Sequence, residues 1–103
     1  MNATTFAALA EPTRLRIVEL LRVEPRSVNQ VAESLGLRQP QASKHLRALT
    51  EAGLVSVTPQ AQQRIYALNP EPFIRLENWA DSFQRHWDTT LTNLETYLKK
   101  GQP

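Results

Sequence analysis

"SVNQVAESLGLRQPQASKHLRALTEAGLV", residues 27–55, is the stretch on which the fold turns. Ser27-Val28-Asn29-Gln30 fits the capping box, in which Ser and Gln side chains satisfy free backbone N–H groups at a helix start. Val28, Val31, Ala32 and Leu35 follow at helical spacing. Gly36 suits the left-handed residue that ends such a helix. A second helix is expected over about residues 39–52, with Pro40 in its first turn and Gly53 closing it. Two short helices joined by a glycine turn read as a helix-turn-helix.

The flanks extend this reading. "LVSVTPQAQQRIYAL", residues 54–68, has β-branched and aromatic residues on both sides of a polar, Pro-containing loop. It reads as a hairpin, with strands near Val55–Thr58 and Arg64–Leu68. A helix-turn-helix followed by a hairpin is the winged form. Upstream, a first helix is expected over about Thr4–Ala10, carrying Phe6 and Leu9. A second opens at Pro12, carries Leu15, Ile17, Val18, Leu20 and Leu21, and stops at Pro25. Downstream, Asn69-Pro70-Glu71 looks like a cap, a first-turn proline and a favourable acid. The last helix is expected over about residues 72–99, roughly 40 Å at 1.5 Å per residue. The expected fold class is therefore mainly α with a small β-hairpin, as one winged helix-turn-helix domain over residues 1–103.

That last helix carries Phe73, Leu76, Ala80, Phe83, Trp87, Leu91, Leu94 and Leu98 at steps of three and four, with Trp79 beside them. The stripe is too long for the preceding small domain to cover. It reads as a seam shared with a second copy and packed with Phe6 and Leu9 of the first helix, so a homodimer is expected.

Composition narrows the function classes. The chain has 103 residues, 41% hydrophobic and 21% charged, within the ordinary globular range. It has no cysteine, which excludes disulfides, thiolate zinc sites and cysteine catalysis. No apolar run approaches the roughly 18 residues of a bilayer span, and the N-terminal stretch lacks the pattern of a secretory signal. No membrane association and a cytoplasmic location are expected. Net charge is only +2, but it is unevenly placed. Arg26, Arg38, Lys44, Arg47 and Arg64 outweigh Glu33 and Glu51 in the middle, whereas residues 71–98 are acidic. A basic central face points to a polyanionic partner.

On the helix over residues 39–52, Ala42, Leu46 and Leu49 share one side. Lys44 and Arg47 fall opposite, flanked by Gln41 and Ser43, and no acid occurs between Gly36 and Thr50. A recognition helix enters the major groove of double-stranded DNA with its N-terminal residues on the base edges. Gln bonds adenine at two points, Arg or Lys bonds guanine, and Ser and Lys suit phosphate. Arg38 before the helix and Gln63 and Arg64 on the wing complete the expected contact set. No catalytic residues and no cofactor are expected: there is no Gly-rich phosphate loop, and Ser43 and His45 point in different directions.

"ALAEPTRLRIVELL", the quoted stretch and "RIYALNPEPF" together resemble the ArsR/SmtB family of bacterial winged-helix repressors over about residues 5–98. The resemblance implies a homodimer joined through its first and last helices, operator binding that blocks transcription and, in many members, release by a metal ion. It implies Gln39, Gln41, Ser43, Lys44 and His45 as the DNA-facing set and Arg64 as a wing residue. Three departures stand out. The Cys-x-Cys position of metal-sensing relatives reads Ser27-Val28-Asn29, and His86 has no ligand type three or four residues away, so no metal is expected. The wing "TPQAQQR" holds one cation where relatives hold several. Arg38 replaces the usual Ser or Thr cap. The leading expectation is a metal-independent repressor on an inverted-repeat operator. The alternatives are a small-molecule sensor with a pocket at the dimer seam, near Trp79, Phe83 and Trp87, and a winged helix that binds protein instead of DNA. An effector, small molecule or protein, is unidentified on either of the first two readings.

Overall fold

A computed structural model of the chain describes residues 3–100. It has α1 (Ala3–Leu9), α2 (Pro12–Val23), β1 (Arg26–Ser27), α3 (Val28–Leu35), α4 (Gln39–Glu51), β2 (Val55–Gln60), β3 (Gln63–Leu68) and α5 (Pro70–Lys100). Each helix of the central pair starts and stops where its terminal backbone groups find partners. At the start of α3, Gln30 N–H donates to Ser27 Oγ at 3.2 Å and Ser27 N–H donates to Gln30 Oε1 at 2.8 Å, a complete capping box. At its end Gly36 takes φ 67°, and Leu37 N–H donates to Ala32 O at 2.9 Å. The end of α4 repeats the device: Gly53 takes φ 80° and Leu54 N–H donates to Leu49 O at 3.0 Å. A Cβ at either glycine would meet nothing within 4 Å, so the requirement is the positive φ and not space.

The wing is a three-stranded antiparallel sheet in the order β1-β3-β2. β1 pairs Arg26 with Tyr66 and Ser27 with Ile65. Two residues are too few to show alternation, so this strand is absent from the sequence reading. The hairpin is also longer than expected. Its ladder continues through Pro59↔Arg64 to Gln60↔Gln63, leaving only Ala61 and Gln62 in the turn. Pro59, read as a loop breaker, sits inside β2 because β2 is an edge strand, where a missing N–H costs no ladder bond. Asn69 ties the base of the hairpin to the end of α4. Its N–H donates to Leu54 O at 2.9 Å, its Nδ2 to Gly53 O at 2.8 Å, and its Oδ1 accepts from Ser56 Oγ.

The chain falls into two compact units, one ending at Phe73 and the other beginning at Ile74. The first has a closed core. Ile17, Val18 and Leu21 of α2 meet Val31 and Ala32 of α3, Ala42, Leu46 and Leu49 of α4, Leu54, Val55 and Tyr66 of the wing, and Ala8 of α1. Leu9 and Phe73 pack against it partly buried. The second unit is the helix from Ile74 onward. No residue of α5 is buried, and Trp79, Phe83, Trp87, Leu91, Leu94 and Leu98 lie exposed along it. Trp79 and Phe83 meet edge to face with ring centroids 4.8 Å apart. Among the described residues no helix is long and apolar enough to cross a membrane.

Candidate nucleic-acid interface

The seam of Ala42, Leu46 and Leu49, each fully buried, fixes which side of α4 faces outward. Gln39, Pro40, Gln41, Ser43, Lys44 and Arg47 are left exposed, together with Arg38 just before the helix. Beside them, Ser43, Arg47, Thr50 and Glu51 of α4 face Val57 of β2 and Arg64 and Tyr66 of β3 across an open groove of about 330 Å³. The β2–β3 hairpin thus places its single cation, Arg64, on the wall opposite Ser43 and Arg47. Gln63 is exposed beside it at the turn. Val57 and Tyr66 are directly paired across the hairpin, which is why both reach the same groove. Sequence reasoning missed Thr50, Glu51, Val57 and Tyr66 as groove residues. Strand alternation could have found the last two once the register was known.

Three of the expected contact residues, Arg38, Gln41 and Arg47, have partners within the chain. Arg38 N–H donates to Gln41 Oε1 at 3.1 Å, while the Arg38 side chain makes no cap bond to α4. Half of a capping box therefore survives the loss of Ser or Thr at this position. Gln41 can use both ends of its amide on a base only by giving up this bond. Arg47 Nε donates to Glu51 Oε1 at 3.1 Å one turn on, with both side chains largely exposed. Such a pair contributes little to stability and opens readily toward a phosphate.

His45 stands apart from the other candidates. It is half-buried on the flank of α4 that faces α2, with Nδ1 3.7 Å from Glu11 Oε2. Glu11 is the N-cap of α2, and the same oxygen accepts Arg14 N–H at 2.9 Å. This backbone bond chiefly holds the Glu11 carboxyl below its ordinary 4.5, with the charge of His45 adding to it and burial opposing it. No sequence signal links Glu11 to His45, since only the fold brings them together. On the expected dimer seam, Phe6 and Ala80 are exposed like the large residues of α5, while Leu9, Phe73 and Leu76 are half-buried. No group of three or more His, Cys, Asp or Glu that could hold a metal lies together among the described residues.

The helix-turn-helix domain family matches residues 9–58 of this chain. The HTH-type transcriptional regulator Rv2034 of Mycobacterium tuberculosis is 38% identical over 87 residues, spanning 84% of this chain and 78% of that protein. The transcriptional repressor SdpR of Bacillus subtilis is 30% identical over 86 residues, 84% of this chain and 96% of SdpR. The crystal structure of an ArsR family transcriptional regulator matches at TM-score 0.72 and 30% identity, covering 82% of this chain and 93% of the other. This chain belongs to the ArsR family of winged helix-turn-helix transcriptional regulators. The homodimeric winged helix-turn-helix DNA-binding domain of Mb0332 from Mycobacterium bovis, a possible ArsR-family regulator, is also similar, at 30% identity and TM-score 0.68 over 81% of this chain and 77% of that domain. The matched helix-turn-helix segment holds α2, α3, α4 and the start of β2, and the family is one of transcription regulators.

Proposed function

We propose that this ArsR-family chain is a homodimeric repressor that binds an inverted-repeat operator in double-stranded DNA and does not use a metal ion as its signal. One observation carries the reading. The outward face of α4 is polar, cationic and without acid from Gly36 to Thr50, and it stands beside a groove whose far wall bears Arg64. Gln39, Ser43, Lys44 and Arg47 are the groove-facing set, and Arg38, Gln63 and Arg64 reach phosphates at its margins. The two-fold partner is supported by the exposed stripe of α5 and by the homodimeric state of the Mycobacterium bovis relative. Repression is supported by the name of SdpR. Independence from metal is supported by a chain without cysteine and by the scattered histidines, His45 being committed to Glu11. A protein with this work is cytoplasmic.

The test is selection of bound duplexes from random DNA at low salt. The expected result is a palindrome with half-site centres about one helical turn apart, roughly 10 base pairs. Failure to retain any duplex in dilute buffer overturns the reading, because even non-specific binding is strong there. The exposed Trp79–Phe83 pair favours a second reading, in which an apolar effector enters the seam between two copies. Quenching or a shift of tryptophan fluorescence across a metabolite panel identifies it.

A further inference from the structure

One ionisable side chain of α4 does not share the outward face. The His45 side chain retains 22% of its exposure, against 82% for Arg47 two residues on. The apolar seam that seats α4, Ala42, Leu46 and Leu49, runs along a single line on the helix. Close packing along this seam holds the helix down, and its three side chains, lying near one line, oppose rotation with a short lever. His45 lies off that line on the side of α2, and Ser43, Thr50 and Arg47 lie off it on the side of the wing. A polar contact at His45 therefore adds to the seam's hold on rotation.

Its partner is unusually well anchored. Glu11 Oε2 is held at 2.9 Å by the backbone of α2, as the cap of that helix, and points at His45 Nδ1 3.7 Å away. His45 Nδ1 at 3.7 Å and Arg14 Nε at 4.0 Å both lie at ion-pair range of this oxygen, beyond a hydrogen bond, so its one bonded donor is the Arg14 backbone. One carboxylate oxygen thus serves the start of α2 and the flank of α4.

We propose that His45 is a positioning residue. Through Glu11 it sets the rotation of α4 about its own axis, and so decides where Gln39, Ser43, Lys44 and Arg47 stand in the groove. A rotation of about 20° carries atoms at the helix surface through about 2 Å, enough to break a hydrogen bond to a base. The role rests on α4 being the DNA-reading element. The charged groups facing His45 are Glu11 and, behind it, Arg14 of α2. α1 and β2 carry no ionisable residue, the one charged residue of α3, Glu33, is exposed, and the neighbours on α4 itself are the exposed Lys44, Arg47 and Glu51.

Two variants separate this role from the alternatives. His45→Gln removes the imidazole that faces Glu11. Glu11→Asn keeps a good helix-capping acceptor but removes both charge and reach, so α2 still starts normally. Affinity of the full chain for its selected duplex is measured for both, and for the double variant. Thermal unfolding is recorded alongside. The expected loss is about threefold to tenfold for each single variant, with the double no worse than the weaker single, as for two halves of one contact. The salt slope stays that of the wild type, because no phosphate contact is lost.

A lowered salt slope for His45→Gln, with Glu11→Asn binding as wild type, overturns the proposal and makes His45 a phosphate contact. Additive losses overturn it too. The DNA-free chain distinguishes failure here from failure of the repressor reading. Backbone amide resonances of α4 are expected to move from their wild-type positions in the same pattern in His45→Gln and in Glu11→Asn, and unrelated or absent shifts overturn the contact whether or not DNA binds. If those resonances behave as expected but no duplex is retained, the repressor reading fails and the positioning role fails with it.

Discussion

α4 and the distal part of α5 carry the same kind of sequence and meet opposite fates. Both repeat apolar residues at steps of three and four. In α4 the stripe of Ala42, Leu46 and Leu49 is fully buried within the chain. In α5 beyond Phe73 the stripe of Phe83, Trp87, Leu91, Leu94 and Leu98 finds nothing to cover it and stays 46–58% exposed. Periodicity states that a helix has an apolar side, but not what will cover it. The short helix sits among α2, α3 and the wing, which supply its cover. The long one carries more large apolar side chains than monomeric proteins ordinarily leave in water, as expected of a surface that meets a partner.

The sharpest break of this comparison is a truncation on each stripe. Leu46→Ala removes a fully buried side chain from a core that closes within one chain. It is expected to cost about 2–5 kcal/mol in denaturant unfolding, at any protein concentration. The matching change on α5, Leu91→Glu with Leu94→Glu, is expected to act through assembly instead. Sedimentation equilibrium should report a single chain for the variant and a dimer for the parent, and the melting temperature of the parent alone should rise with concentration. If the variant self-associates as the parent does, the stripe is not the seam.

The outward faces differ as well, and Lys44→Ala tests that difference. Lys44 is exposed on the acid-free side of α4 and makes no ion pair among the described residues. Its loss should weaken binding to every duplex and lower the salt slope by about two for a pair of helices, at roughly 0.9 per phosphate contact. Lys99, paired with Glu95 at 3.8 Å on α5, should show no such effect when replaced by Ala.

Acid acts on the first unit through Glu11. Its folded carboxyl lies below the ordinary 4.5, so it contributes stability at higher pH and loses that contribution as pH falls through the lowered value. The stability gap between wild type and Glu11→Gln is therefore expected to be full at neutral pH and to close on acidification, as read by urea unfolding across the acid range.

The smallest effect concerns the wing turn, where Ala61 holds φ 56°. A side chain in that region is strained, and Ala61→Gly is expected to raise stability by up to about 1 kcal/mol. A fall in melting temperature would show that the turn is already relaxed.

Legibility followed the range of the interaction. The capping box at Ser27, both left-handed glycines and the proline opening α2 depend on residues within a turn of each other, and the sequence shows them directly. The half capping box of Arg38 and Gln41 was equally local, but cap reading looks for Ser or Thr and passed over it. Pro59 was misread because its tolerance depends on whether its strand lies at a sheet edge, a property of the assembled sheet. Of the candidate contact residues, the outward set on α4, His45 apart, is legible from the wheel of one helix. The groove they form with Arg64 and Tyr66 needed the register of the wing.

The chain's own letters therefore determined the helix-turn-helix, the polar side of α4 and the amphipathic run of α5, because each rests on periodicity or on a cap within a few residues. Only the tertiary structure decided that β1 would add a third strand, that Arg64 would stand across from Ser43 and Arg47, and that His45 would turn toward Glu11 instead of outward with its neighbours. Those outcomes depend on which distant segments the closing core brings within a few ångströms, and spacing along a chain does not encode that distance.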